Sequence, residues 1–270
     1  MAPLEGRTIT TFIGIDLAWQ GDKNHSGLAA FHGSDTRIDS CDLSSSVSTL
    51  GEVCDFVARN ESQNTVVAID APLIISNQSG QRPCETEVSR RFGKFHAGAH
   101  TSNLSLYPDA GGVRLAKSLL SRGYRHSPIP PSRPPPGLWF FEVYPHPAQV
   151  VLFERNRIIK YKKGPVAERR RGLAELRQEI EARIFGAASP FILDSRIEKF
   201  FSIEISELRG RSLKHHEDLL DSIFCAYLAF YLWRWSWERS EMIGDLDHGY
   251  IVVPKADAVT SHPARSSPPR

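Results

Sequence analysis

The chain has 270 residues, 41% of them hydrophobic and 24% charged, with a formal net charge of +2. That composition suits one generous α/β domain and excludes a disordered or collagen-like chain. The charge is too mild to identify a nucleic-acid partner by itself, so local clusters matter more than the total. Four cysteines (Cys41, Cys54, Cys84, Cys225) form no CxxC pair, which argues against a zinc ribbon or a redox motif. The N-terminal residues lack the apolar core of a signal peptide, and the longest apolar run, Ile223 to Trp233, is too short to span a bilayer. A cytoplasmic protein with no membrane association is the expectation.

Residues 1–8 and 255–270 read as flexible ends, leaving 9–254 as a single domain. Thr10 to Ala18 (TTFIGIDLA) is β-branched and apolar, the pattern of a strand buried on both faces. Asp16 lies near its end, where a purely structural strand rarely wants a charge. Residues 27–32 and 36–43 predict two further strands, joined by a turn at Gly33-Ser34-Asp35. Residues 47–60 place Val47, Leu50, Val53, Cys54 and Val57 at helical spacing. Another short apolar strand, 65–69, ends in Asp70-Ala71-Pro72.

An insertion of about 76–137 follows. It contains a helix at 83–95, a loop at 96–109, a helix at 110–122, and an extended run at 127–137 whose six prolines exclude helix and central strand. Residues 138–143 (LWFFEV) predict a fifth strand carrying Glu142. A short helix is expected after Pro145 or Pro147, a longer one over 165–185, partial helix over 190–209, and a long apolar helix from His215 to about Arg239.

Parallel strands present their C-terminal ends to one crevice, and Asp16 and Asp70 both fall at such ends. In EDLLDS, Asp218 and Asp221 stand three residues apart and share a helix face at the point where the helix turns apolar. Glu142 lies among Trp139, Phe140, Phe141, Val143 and Tyr144, and a charge in such company needs a partner, a metal or a raised pKa. Each acid also has a plainer explanation. Asp70 suits a turn before Ala-Pro, Asp218 a solvated first helical turn, and Glu142 an ion pair with a structural arginine. The set in β-β-β-α-β…α order argues for one magnesium or manganese site with Asp16, Asp70 and Asp221 as ligands, because such ions prefer hard oxygen donors.

Basic residues cluster in two places. Segment 155–171 carries eight Lys and Arg against Glu168, and within it Lys162 and Lys163 are the phosphate candidates, while Arg169 to Arg171 read as a solvated helix face. Residues 80–100 contribute Arg82, His96 and His100 and follow directly on the Asp70 strand end. The histidines can serve a leaving oxygen, contact substrate or be structural. No HxxxH pair on a clear helix supports a zinc peptidase.

The stretches GIDLAW (14–19), SGLA (26–29), AIDAPL (68–73), GQRP (80–83), FGKFHAGAH (92–100), EVYPHPA (142–148), YKKG (161–164) and HHEDLLDSIFCAY (215–227) resemble the domain-of-unknown-function family numbered 429, regarded as predicted nucleases of the ribonuclease H-like fold. The resemblance implies a central five-stranded sheet, its first three strands antiparallel and the rest parallel. It maps the acids of the superfamily onto Asp16, Asp70 and Asp221, with Asp218 as the paired helix acid and Glu142 as a residue particular to this family. The expected activity is divalent-metal-dependent hydrolysis of nucleic acid, DNA or RNA. A homodimer fits junction-type nucleases, although no sequence feature calls for one. The rival readings are a catalytically inactive nucleic-acid-binding or scaffold module with the same fold, and an actin-like phosphotransferase, for which 14–27 offers no convincing phosphate loop.

Overall fold

A computed structural model describes residues 9–19, 25–34, 36–127, 136–186 and 189–256. Asp35 of the first turn, residues 20–24, the proline-rich 128–135, residues 187–188 and the terminal 1–8 and 257–270 lie outside the described residues. The chain is α/β. Its strands and helices run β1 (Thr10–Asp16), β2 (Ser26–Gly33), β3 (Ile38–Val47), α1 (Leu50–Arg59), β4 (Asn64–Asp70), α2 (Pro83–Phe92), α3 (Gly111–Ser121), β5 (Arg125–His126), β6 (Leu138–Glu142), α4 (Pro145–Leu152), α5 (Val166–Ile184), α6 (Ser195–Phe201), α7 (Gly210–Arg239), β7 (Ser240–Asp245) and β8 (Gly249–Pro254).

The main sheet has six strands in the order β3-β2-β1-β4-β6-β5. The β1-β2 and β2-β3 pairs are antiparallel, and β4, β6 and β5 run parallel to β1. The expected count of five is therefore corrected to six. The extra strand, β5, is only Arg125 and His126, too short for any periodicity to signal. A second, two-stranded sheet, β7-β8, touches the main one through a bridge between Val143 and Val252.

Side chains alternate across the sheet and so divide the core. Phe12, Val66, Ala68 and Phe141 face α5, α6 and α7. Ile13, Ile15, Val67, Ile69 and Phe140 face α1 and α3 on the other side. A third cluster, with Cys84, Val88, Val150, Ile251 and Val253, joins α2 and α4 to the β7-β8 hairpin. All four cysteines are buried free thiols. Among the described residues no helix is long and apolar enough to cross a membrane.

Two glycines set how closely α7 approaches the sheet. A Cβ on Gly14 would lie 2.0 Å from the Ser222 carbonyl oxygen and 2.1 Å from the Ala226 nitrogen. A Cβ on Gly27 would lie 2.1 Å from the Asp218 carbonyl oxygen. The helix backbone thus rests directly on β1 and β2, which only glycine permits. This contact decides where the helix acids end up.

Candidate functional site: a carboxylate cluster under the long helix

In the parallel β1-β4 ladder, Asp16 and Asp70 are direct register partners. Partners in a ladder point to the same face, and parity with Phe12 and Ala68 sends both toward α7. Gly14 and Gly27 bring the α7 backbone down at Ser222 and Asp218, so Asp218 and Asp221 meet the strand-end acids. Asp218 is 1% exposed and Asp221 fully buried, while Asp16 and Asp70 are half-buried.

The cluster is charged in an unusual way. Burial raises Asp16 above the ordinary carboxylate range, and Asp221 adds to the shift while Lys162 opposes it. Burial raises Asp70 well above that range, again against the pull of Lys162. Burial and the facing charge of Asp16 push Asp218 up to about 8. Asp16 and Asp218 are close enough to share a proton, which favours the charged form of Asp16. At neutral pH the acids therefore hold at least one proton among them.

Lys162 enters from the loop between α4 and α5. Its Nζ stands 3.0 Å from Asp221 Oδ2. Burial works against this ammonium, but Asp221, Asp16 and Asp70 outweigh it and hold the lysine firmly charged. The neighbouring Tyr161 donates to Asp221 Oδ1 at 2.7 Å and accepts from Gln149 Nε2 at 3.2 Å. Lys214, one turn before Asp218 on α7, contacts Asp218 Oδ1 and Glu217, and Glu217 also pairs with Arg169 at 3.1 Å.

Glu142 belongs to a different assembly. It is paired in register with Ile69, not Asp70, so its side chain leaves the sheet on the opposite face. Arg82 meets it with two hydrogen bonds, Nη2 to Oε1 at 2.6 Å and Nη1 to Oε2 at 3.0 Å. The Leu73 amide donates to Oε2 at 2.9 Å. Arg82 Nε also donates to Glu85 Oε1 at 2.8 Å, and Ser102 donates to Glu85 through both its amide and its hydroxyl. Arg82, Glu85 and Glu142 are all nearly fully buried. Burial raises Glu142, while the Arg82 guanidinium opposes the shift.

Of the residues singled out from sequence, Asp16, Asp70, Asp218, Asp221 and Lys162 are brought together. Arg82 and Glu142 are joined to each other rather than presented to solvent. A shallow open cleft beside Asp70 is lined by Trp19, Pro72, His100 and Tyr144, with Arg82 and Glu142 in its wall. His100 is exposed there, and burial together with Lys163 and Lys162 lowers its pKa. Lys163 is exposed. His96 is also exposed, at φ 64° where the chain leaves a 3-10 turn after α2, and does not line the cleft.

Sequence reasoning missed three contributors. Tyr161 is one, although it stands in the YKKG stretch. His146 is another: its Nδ1 bonds the Tyr144 hydroxyl at 2.9 Å, and burial with the charge of Lys162 lowers it to about 3, so it stays neutral. Lys214 is the third. Its position four residues before Asp218 on one helix was the available signal.

The family model described as "Protein of unknown function (DUF429)" matches residues 14–239. No curated protein and no solved structure matches the chain.

Proposed function

The chain belongs to the DUF429 family, and from that premise and the acid cluster we propose that it is a magnesium- or manganese-dependent nuclease of the ribonuclease H-like fold. The observation that carries the reading is the convergence of Asp16 and Asp70, side by side at the ends of β1 and β4, with Asp218 and Asp221 of α7. The sheet supports it as well: three antiparallel strands followed by parallel β4 and β6 is the arrangement the family resemblance implies.

The donors suit a hard divalent cation, because they are all carboxylate oxygens, and on buried Asp218 the Lys214 ammonium meets Oδ1 while Oδ2 has no hydrogen-bond donor. Among the described residues no three acid, histidine or cysteine side chains already close on one point. Asp16, Asp70 and the helix acids Asp218 and Asp221 are the residues that would hold the ion. When bound, the ion supplies Lewis-acid polarisation of a phosphoryl oxygen.

The chain's own residues do the rest. Lys162 places a permanent positive charge among the acids, where a phosphate must otherwise approach several carboxylates. Gly14 and Gly27 fix the distance between helix acids and strand acids. His100, on the cleft wall beside Asp70, is positioned to bind a substrate oxygen, and exposed Lys163 meets the phosphate backbone.

The experiment is cleavage of end-labelled DNA and RNA oligonucleotides with magnesium or manganese. Asp16→Asn should abolish metal-dependent cleavage, and unchanged cleavage would remove the assignment. A second reading, a nucleic-acid-binding or scaffold module without turnover, is favoured by one observation: the Lys162 ammonium lies 3.0 Å from Asp221 Oδ2 and supplies it with a countercharge. It requires salt-sensitive binding and no cleavage with any divalent ion.

A further inference from the structure

The cleft beside Asp70 is lined by aromatic rings as well as carboxylates. Trp19, just past the end of β1, shares its wall with His100 and Tyr144. The indole is half-buried and meets two near-perpendicular neighbours, His100 at 6.5 Å and Tyr107 at 5.4 Å between ring centres. Such edge-to-face contacts hold an aromatic ring in one orientation. Tyr144 already has a use, since its hydroxyl donates to the Gly98 carbonyl at 3.0 Å. Neither the Trp19 indole nitrogen nor the His100 ring has a hydrogen-bond partner among the described residues.

The wall is held in place by its own backbone. Gly111 at the start of α3 donates to the Trp19 carbonyl at 3.4 Å, and a Cβ there would lie 3.2 Å from the Ala18 carbonyl oxygen. The chain after β1 is therefore seated against that helix. Two segments between β4 and α3 are laced to each other. Asn77 Nδ2 donates to the Ser102 carbonyl at 3.2 Å, and Asn103 Nδ2 to the Gly80 carbonyl at 2.9 Å. Gln81 Nε2 donates at 3.2 Å to the carbonyl of Ala99, the residue before His100. Trp19 and His100 thus stand on a fixed frame, which lowers the entropic cost of using them to bind.

Cations border the same cleft. Lys163 and Lys162 both lie near enough to His100 to disfavour its protonation, and Lys163 is exposed. Their loop is tied to the histidine segment where the Ile158 amide donates to the Phe95 carbonyl at 3.0 Å. A fixed aromatic ring beside ammonium groups suits a nucleobase joined to its phosphate. A base inside a duplex cannot use such a wall. Stacked neighbours cover both its faces, and Trp19 is recessed in the cleft.

We propose that this cleft is a base-binding subsite, in which Trp19 stacks on and His100 hydrogen-bonds to one unpaired nucleobase of a single strand, with the adjoining phosphate on Lys163. The inference rests on the nucleic-acid reading above and names its substrate class. The substrate oxygen that His100 meets is then on the edge of the base. The strand that reaches the acid cluster is single-stranded, and an intact duplex is excluded.

Fluorescence anisotropy in metal-free buffer tests this without reference to cleavage. The probes are labelled oligothymidylate, labelled oligouridylate, an abasic strand of the same length and a fully paired duplex. The proteins are the wild type, Trp19→Leu, Trp19→Phe and Lys163→Ala, each confirmed folded by thermal melting. Wild type should bind at least one base-bearing single strand about tenfold more tightly than the abasic strand or the duplex. Trp19→Leu should lose that preference with its abasic-strand affinity unchanged, and Trp19→Phe should keep most of it. Lys163→Ala should weaken the base-bearing and abasic strands alike. Equal wild-type affinity for base-bearing and abasic strands, or a preference that survives Trp19→Leu, overturns the subsite and leaves the nuclease reading standing. No binding of any probe also overturns the subsite, and Asp16-dependent cleavage then decides the nuclease reading separately. If Trp19→Leu does not fold, the wild-type comparison of base-bearing with abasic strands decides.

Discussion

Two groups of buried charge flank the end of β4, and they are finished to different degrees. On one side Arg82 bridges Glu85 and Glu142, with Ser102, Leu73 and Ile74 supplying or accepting the remaining hydrogen bonds. On the other, four aspartates share two lysines, and Oδ2 of Asp218 has no hydrogen-bond donor. The first group is a closed structural device, because every buried charge has its partner. The second is left short of positive charge in the crevice where an α/β sheet binds ligands. Burial alone does not mark a functional acid. Unanswered burial does.

The sharpest way to break the comparison is to open the closed group. Arg82→Met strands Glu85 and Glu142 without their cation and should cost about 3–5 kcal/mol in denaturant unfolding. A loss below about 1 kcal/mol would show that the network is not the closed device described. Next in size is the spacer that sets up the acid cluster. Gly14→Ala forces a methyl against the α7 backbone and should destabilise by about 1–3 kcal/mol. It should also weaken Mn²⁺ binding, since the helix acids move away from Asp16; unaltered stability would mean that the helix seat yields freely.

The acid cluster should respond in the other direction. Asp218 has a folded-state pKa of about 8 against an ordinary value of 3.8. Between those values the folded protein retains a proton that the unfolded chain releases, so this group's contribution to stability falls as pH rises from about 4 to about 8. Asp218→Asn removes that loss. Its melting temperature relative to wild type should therefore be higher at about pH 8.5 than at about pH 5 in metal-free buffer. An equal offset at both pH values would contradict the shifted titration. The smallest effect belongs to the rim: Lys163→Ala should weaken oligonucleotide binding uniformly across sequences and reduce the salt-dependence slope by about one.

Much of this is legible in the amino-acid sequence. The apolar β1 and β4, each ended by an aspartate, and the long α7 with its Asp218–Asp221 face stand out because burial on both strand faces leaves few other patterns. The division between the two charged groups is not legible there. Glu142 and Asp70 look alike in sequence, and only the register of Glu142 with Ile69 sends it to the other face. Arg82 reads as a phosphate contact because its partner lies 60 residues away in sequence, beyond any local pattern. Lys162 stands out as basic, but its position against Asp221 depends on three helices that close around its loop. The β7-β8 hairpin is hidden because its strands are six residues each and follow α7 directly, with Ser240 both the helix cap and the first strand residue. Yet Tyr250 from that hairpin accepts a hydrogen bond from the Glu142 amide at 3.1 Å, so it helps complete the closed group.

The central claim is that the unanswered acids serve metal-dependent cleavage of nucleic acid. Its most direct test compares wild type with Asp16→Asn, both confirmed folded, on labelled single-stranded and duplex DNA and RNA with and without Mn²⁺. The account predicts Mn²⁺-dependent cleavage of at least one substrate by the wild type and none by the variant. Cleavage that survives Asp16→Asn, or no cleavage of any substrate by a wild type that binds Mn²⁺, would contradict it.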